Sequence, residues 1–396
     1  MRRFAERLNA VQFSATIELS DIIKKMKSEG RDVISLAAAR PDFDTPQSIK
    51  EAAIEAINTP HQYIVYTESR GLIELREAVA QKLTEENGLS VDPESQVLIT
   101  VGAREALFLA MQVLIEPGDE VLVIDPSWLT YQALVRLAGG VPVFVPLRAE
   151  DGYHLDPDVL RSKVTDRTRA LILNTPNNPT GAVSTMDELE AIRDLAVERD
   201  LVVVTDEIYE YFVYDGHRHV SPATLPGMAE RTLTTNACSK AWAMTGWRVG
   251  YVAGASDLID KLLLVHQHLV SSACSFAQKG AVTAFTEARG EVDLMVSSYR
   301  RRRDRIASHL ADCPGLDYLL PEGACFFFLD LGELGMSPQD LSREFLRRGG
   351  LALTPGTAFG DQGSRHLRLS FATIGEDQID EVMGRFRDVM AQLVTS

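Results

Sequence analysis

Residues 238–251 read CSKAWAMTGWRVGY, and Lys240 and Arg248 stand eight positions apart in a run that is otherwise mostly small or apolar. A lysine among such neighbours has a depressed pKa, because desolvation disfavours the ammonium, and the resulting free amine can act as a nucleophile and then as a base. Standing alone, Lys240 could equally snorkel to water. Arg248 adds a planar fork that suits a phosphate dianion better than an ammonium does. Asp206 ends the run LVVVTD, where a buried carboxylate needs a cationic partner such as a protonated pyridinium nitrogen; otherwise it caps a helix opening at Glu207. Tyr209, one helical turn on, and Asn178, in TPNNPTG, can both reach a phenolate oxygen, with Pro179 and Gly181 fixing the turn. These are the parts that amine chemistry on an electron-sink cofactor requires: an imine-forming lysine, an acid for the ring nitrogen, donors for the phenolate and an anion site for the phosphate.

The elements that must position these residues are legible around them. From about residue 96, the short apolar runs QVLITV, DEVLVI, RALILN and LVVVTD alternate with helix-periodic segments such as EALFLAMQVLI and MDELEAIRDLAVERD. Strands without polar alternation, separated by helices, predict a doubly wound α/β domain whose largely parallel sheet is covered on both faces. Ligands in such sheets bind beyond the carboxyl ends of the strands, where Gly102, Ala103, Arg104, Asn178 and Asp206 fall. The turn at Ala103 and Arg104 opens a helix and offers backbone N–H groups to a phosphate. The last hundred or so residues change to mixed order, with a helix around 291–311, ACFFFLDL, a helix near 338–348, LALTP, HLRLSF and a terminal helix, and predict a smaller α+β domain.

Composition excludes several classes. The 396 residues are 45% hydrophobic and 24% charged, enough for a large core, and the net charge of −16 argues against a nucleic-acid partner. No apolar run approaches membrane-spanning length, and MRRFAERLNAVQF lacks the apolar stretch of a secretory signal, so a cytoplasmic location is expected. Cys238, Cys274, Cys313 and Cys325 have no CxxC spacing and are expected to be packing residues, and the eight histidines have no metal-ligand spacing, so no metal site is expected. The run YRRRRDR (299–305) is expected to form a solvated helix face.

The ordered set PDFDTP (41–46), YTESRG (66–71), NNPTG (177–181), DEIY (206–209), SKAWAMTGWRVGY (239–251) and RLSFA (368–372) resembles the class I aminotransferases of fold type I, enzymes dependent on pyridoxal 5′-phosphate (PLP), over nearly the whole chain. The resemblance implies a mainly parallel seven-stranded sheet in a large domain (45–290), a small domain (291–396) and an N-terminal segment (1–44) contributing to the latter. It implies that Lys240 is the Schiff-base lysine, Asp206 the partner of the pyridine nitrogen, and Tyr209 and Asn178 the partners of the phenolate. Arg248, Ser239 and the backbone at Ala103 and Arg104 would hold the phosphate, and Trp128 would stack on the ring unless it is an ordinary core tryptophan. Tyr66 would cross to the neighbouring subunit's phosphate, making a homodimer with shared sites, and Arg368 would grip the substrate α-carboxylate. The segment FSATIELSD (13–21), with Thr16 on the substrate side, is expected to close over the substrate with the small domain.

The chain departs from the family pattern at several places. Ala39 and Arg40 stand where relatives carry a glycine and an acidic or amide residue; Ala39 narrows the substrate space, and Arg40 either adds a cation there or pairs with a surface carboxylate. Arg104 stands where some bacterial aspartate aminotransferases have a lysine for the distal carboxylate, so two extra guanidiniums favour a second anionic group on the substrate. Ala237 replaces a phosphate-binding serine, and GACFFF (323–328) replaces a commoner GAFY. The expected activity is amino transfer between an amino acid, aspartate-like or glutamate-like, and a 2-oxo acid. The alternatives are a PLP-dependent lyase or synthase, suggested by Ala39, Arg40 and Cys325, and a non-catalytic sensor, for which residues 1–14 are too short to supply a DNA-binding domain.

Overall fold

The computed structural model describes residues 4–13 and 15–395, and side chains at all of these except 15–17 and 20; the side chain of Thr16 therefore lies outside the described residues. Seven strands form the main sheet: β1 (Val97–Thr100), β2 (Glu120–Asp125), β3 (Val141–Pro146), β4 (Thr168–Asn174), β5 (Val202–Asp206), β6 (Thr232–Ala237) and β7 (Gly250–Ala253). Their order is β1-β7-β6-β5-β4-β2-β3, parallel throughout except for β7, which runs against both neighbours. The apolar runs predicted as strands are these strands, and β2 is buried at every residue because helices cover both faces of the sheet.

The parallel strands end along one edge, and the register puts Asn174 beside Asp206 and Asp206 beside Thr235. Chemistry-bearing residues are thus brought together by strand pairing before any loop contributes. Helices then leave this edge. The N-terminal helix α1 (Ala15–Ser28) lies ahead of the sheet in the chain, α2 (Ala103–Leu114) follows β1, α3 (Thr130–Leu137) follows β2, and the four-residue α4 (Cys238–Ala241) follows β6.

A separate antiparallel sheet, in the order β9-β10-β8, is built from β8 (Phe326–Asp330), β9 (Thr354–Pro355) and β10 (His366–Ser370). It packs with the long helix α5 (Arg289–Leu310) and the helices Pro338–Gly349 and Ile379–Val394 around a phenylalanine-rich core. Ile34–Ser35 pairs in parallel with Leu351–Ala352, tying the N-terminal segment to this unit.

Three expectations are corrected. Arg302 and Arg303 are buried rather than solvated: Arg302 reaches Asp42 at 2.8 Å over the rings of Phe43 and Tyr299, and Arg303 reaches Asp215 at 2.7 Å. A helix turns about 100° per residue, so a run of four arginines cannot all face water; Arg301 and Arg305 do, paired with Glu376 and Asp380. Cys274 is exposed, whereas the other three cysteines are buried. Residues 208–210 form turns and no helix opens at Glu207, which removes the capping role for Asp206. Among the described residues no helix is long and apolar enough to cross a membrane.

Candidate active site

A cleft of about 590 Å³ opens at the carboxyl edge of the main sheet, against the small unit. Every site residue named from the sequence lines it, apart from Tyr66 and the undescribed side chain of Thr16. Tyr66 is 87% exposed and does not line this chain's own cleft.

Lys240 extends from α4 and donates from Nζ to the carbonyl of Ala39, 5.9 Å from the centre of the Tyr209 ring. Desolvation lowers its pKa to about 8, with the nearby Arg368 and Arg248 adding to the effect and Asp206 opposing it. A substantial fraction is therefore neutral amine near physiological pH, as nucleophilic attack requires.

Asp206 is buried at the end of β5. Its Oδ2 accepts from the Tyr131 hydroxyl at 2.8 Å and its Oδ1 from the Ile208 N–H at 3.2 Å. Burial raises its pKa to about 6 despite these bonds and the attraction of Lys240. A carboxylate held at this cost stabilises a cation placed beside it. Tyr131 is a candidate site residue that the sequence reading missed. Its signal was present as the tyrosine of DPSWLTY, three residues after Trp128, and the two rings meet edge to face at 5.6 Å.

Arg368, on β10, is buried with no carboxylate partner among the described residues. Its guanidinium donates to Asn178 Oδ1 at 2.8 Å and to the Ala37 carbonyl, and packs on Phe326 and Phe359 with Cζ 4.4 and 4.7 Å from the ring centres. Its Nε has no partner, and burial brings the pKa down to about 10. A buried guanidinium held only by neutral acceptors is a site for an anion. Asn178 is itself fixed, since its N–H donates to Asn174 Oδ1 at 2.8 Å while the Asn174 amide donates to the Asp206 carbonyl at 2.8 Å.

A second arginine of the cleft is also held by neutral acceptors. Arg248 has φ +56° and, among the described residues, donates only to the carbonyls of Thr245 and Val101, at 3.1 and 3.2 Å. Gly102, at φ +74° and ψ 167°, precedes α2, and a Cβ there would run into the Arg248 guanidinium. That backbone conformation is essentially glycine-only. Replacing Gly102 with alanine is therefore expected to weaken phosphate-dependent ligand binding by about tenfold or more and to destabilise the fold by roughly 1–3 kcal/mol, readable by ligand titration of the apoprotein and by denaturant midpoint. Arg104 lays its guanidinium on the Trp128 indole, 4.8 Å from the ring centre, and partial desolvation and Arg248 hold its pKa below the usual range.

Cys325 lies outside the cleft wall, in the core of the small unit, where burial pushes its thiol up to about 12. It stands close enough to Lys240 and Arg368 to interact with both charges from behind the wall, while Ala39 and Arg40 are the substituted residues that line the cleft itself. Below the site, the potential ligand atoms of Glu207, Glu210 and His219 lie within 4.8 Å of one another. Their oxygens are already engaged: Glu207 by Thr205, Ser221 and His219, each at 2.8 Å, and Glu210 by Lys82, Asn87 and Asn236. Lys82 already supplies the positive charge such a trio would attract.

A buried lysine of lowered pKa, a buried acid and two arginines held by neutral acceptors, set at the carboxyl edge of this seven-stranded sheet with a small α+β unit over it, place the protein among the fold type I enzymes. Within that class the chain belongs to the family described as aminotransferase class I and II, whose family model matches residues 31–386. It is 40% identical over 373 residues to an aspartate aminotransferase of Musicola paradisiaca, covering 94% of this chain and 93% of that protein. It is also 40% identical to the aspartate/prephenate aminotransferase of Thermus thermophilus, covering 99% and 100%. A solved structure of the Thermus thermophilus aspartate aminotransferase with maleate superposes with a TM-score of 0.93, at 40% identity, covering 98% of this chain and 100% of that one. The protein is an aminotransferase.

Proposed function

We propose that this aminotransferase uses PLP and moves the amino group of an acidic, aspartate-like or glutamate-like amino acid to a 2-oxo acid. The observation that carries this reading is Arg368: a buried guanidinium without a carboxylate, in the same cleft as a lysine of lowered pKa and a buried acid of raised pKa. The donor set fits the cofactor. Arg248, the Ser239 hydroxyl and the N–H groups at Ala103 and Arg104 suit its phosphate, Asp206 its ring nitrogen, Asn178 and Tyr209 its phenolate oxygen, and Trp128 its ring face.

When bound, PLP supplies the aldehyde that takes up the amine and the ring that accepts the electrons released at the substrate Cα. The remaining work falls to the chain. Arg368 orients the α-carboxylate, Lys240 Nζ takes the Cα proton and returns it, and Asp206, steadied by Tyr131, keeps the ring nitrogen protonated. Arg104 faces the distal carboxylate.

We further propose the division 1–44, 45–290 and 291–396, a cytoplasmic location, and a homodimer in which exposed Tyr66 serves the neighbouring subunit's phosphate site. The segment 13–21, with Thr16, would close over the substrate. The test is a single half-reaction. Adding L-aspartate or L-glutamate, without any oxo acid, to the purified yellow protein is expected to bleach its visible band and release about one oxo acid per site. L-norleucine is expected to react at least about tenfold more slowly. Failure to release an oxo acid, or a faster reaction with norleucine, would overturn the acidic-substrate reading.

A further inference from the structure

The cleft holds more positive charge than the reaction described above uses. Arg368 answers to the α-carboxylate, Lys240 to the imine and Arg248 to the phosphate, while Lys24 at the rim is paired with Asp21 at 2.9 Å. Arg104 and Arg40 are left. Arg40 is exposed on the cleft wall and has no ion-pair or hydrogen-bond partner among the described residues, in a protein of net charge −16 with ample carboxylates to pair with.

Arg40 is not on a loose loop. The Ala37 carbonyl before it accepts from Arg368, and the Ala39 carbonyl accepts from Lys240. Two residues after it, the Asp42 N–H donates to the Ala372 carbonyl at 2.9 Å, and the Asp42 carboxylate pairs with buried Arg302 at 2.8 Å. The main chain that carries Arg40 is thus fixed to the α-carboxylate site and to the nucleophile, and its guanidinium remains free to meet a ligand. Arg104, by contrast, is stacked on Trp128, the residue assigned to the cofactor ring.

We propose that Arg40 is a specificity-determining residue: it reads the distal carboxylate of dicarboxylic substrates longer than aspartate, while Arg104 serves the shorter ones. This rests on the acidic-substrate reading above. One cleft must hold both the amino donor and the acceptor in turn, and two cations on separate segments, Arg40 after Ala39 and Arg104 on α2, allow two chain lengths to be gripped without moving Arg368.

Unreactive acids isolate binding from chemistry. Isothermal titration of the holoenzyme with succinate, glutarate, adipate and hexanoate is to be compared for the wild type, Arg40→Gln, Arg40→Lys and Arg104→Gln, with a melting temperature confirming that each variant is folded. Arg40→Gln is expected to weaken adipate by about tenfold or more while succinate and hexanoate change by less than about threefold; Arg40→Lys recovers most of the loss, and Arg104→Gln weakens succinate most. Equal losses for all four acids in Arg40→Gln, or none for adipate, would overturn the assignment. A wild type that binds hexanoate as tightly as the diacids defeats the acidic-substrate reading itself. Diacid preference with adipate unaffected by Arg40→Gln defeats only the role of Arg40.

Discussion

Lys240→Ala is expected to leave the protein folded and to reduce turnover by at least roughly 10⁴-fold, since one side chain supplies both the nucleophile and the proton carrier. Lys240→Arg separates charge from chemistry. It keeps a cation in the cleft, but a guanidinium stays protonated at any working pH and has no free electron pair to give, so it is expected to be nearly as inactive. The measurements are kcat for both variants and a melting curve showing that neither loss is a loss of fold. The lowered pKa of Lys240, about 8, adds a pH dependence of definite sign. The neutral amine is the reactive form, so the rate at which the apoprotein takes up PLP should rise about tenfold per pH unit below 8 and level off above it. A rate flat from pH 6 to 9 would show that desolvation does not set the amine's reactivity.

Asp206→Asn is expected to have two opposite effects. Turnover falls by roughly 10²–10³-fold, because the ring nitrogen loses the charge that holds its proton. The apoprotein meanwhile becomes more stable at neutral pH. Burial raises the Asp206 pKa from 3.8 to about 6, so the folded state binds the proton more tightly than the unfolded chain does. Stability from this group is therefore fully present below pH 3.8 and is lost as pH rises through 6, a penalty of about 3 kcal/mol at pH 7 and above. Asparagine does not ionise; its one oxygen can accept from the Ile208 N–H while its NH2 donates to the Tyr131 hydroxyl oxygen. The variant apoprotein should therefore gain in urea midpoint over the wild type at pH 8 and lose that advantage near pH 4. Equal midpoints at pH 8 would mean that the buried carboxylate carries no such penalty.

The sheet was legible in the sequence because its strands are unbroken apolar runs, and the residues at their ends were legible because polar side chains there have few structural uses. Asp206 and Lys240 could each be proposed from residue type and place, whereas Arg368 came from the family resemblance alone. Tyr131 could not. Its hydroxyl matters only because α3 lies over the end of β5, a relation between residues 75 positions apart in the chain. The burial of Arg302 and Arg303 was missed for a similar reason: charge density was read along the chain, whereas helical phase and the position of Asp42 and Asp215 decide which arginines turn inward. DEIYE was read for its first aspartate and its tyrosine. That Glu207 and Glu210 anchor a buried polar network with Lys82 and His219 depends on partners far away in sequence.

In the reaction proposed above, the packing of Arg368 against Phe326 and Phe359, with its bonds to Asn178 and Ala37, makes the site handed. A guanidinium that cannot swing fixes the plane of the carboxylate it holds, and the amino nitrogen is fixed where it meets the cofactor. With those two points set, an amino acid has only one remaining choice, which of its two other Cα substituents faces Lys240. The lysine enters from one side only, and Arg104 and Arg40 stand on the cleft walls to receive the side chain. One mirror form presents its hydrogen to the lysine; the other presents its side chain and has no proton within reach. In the proposed reaction, chirality is thus selected by the fixed position of one arginine.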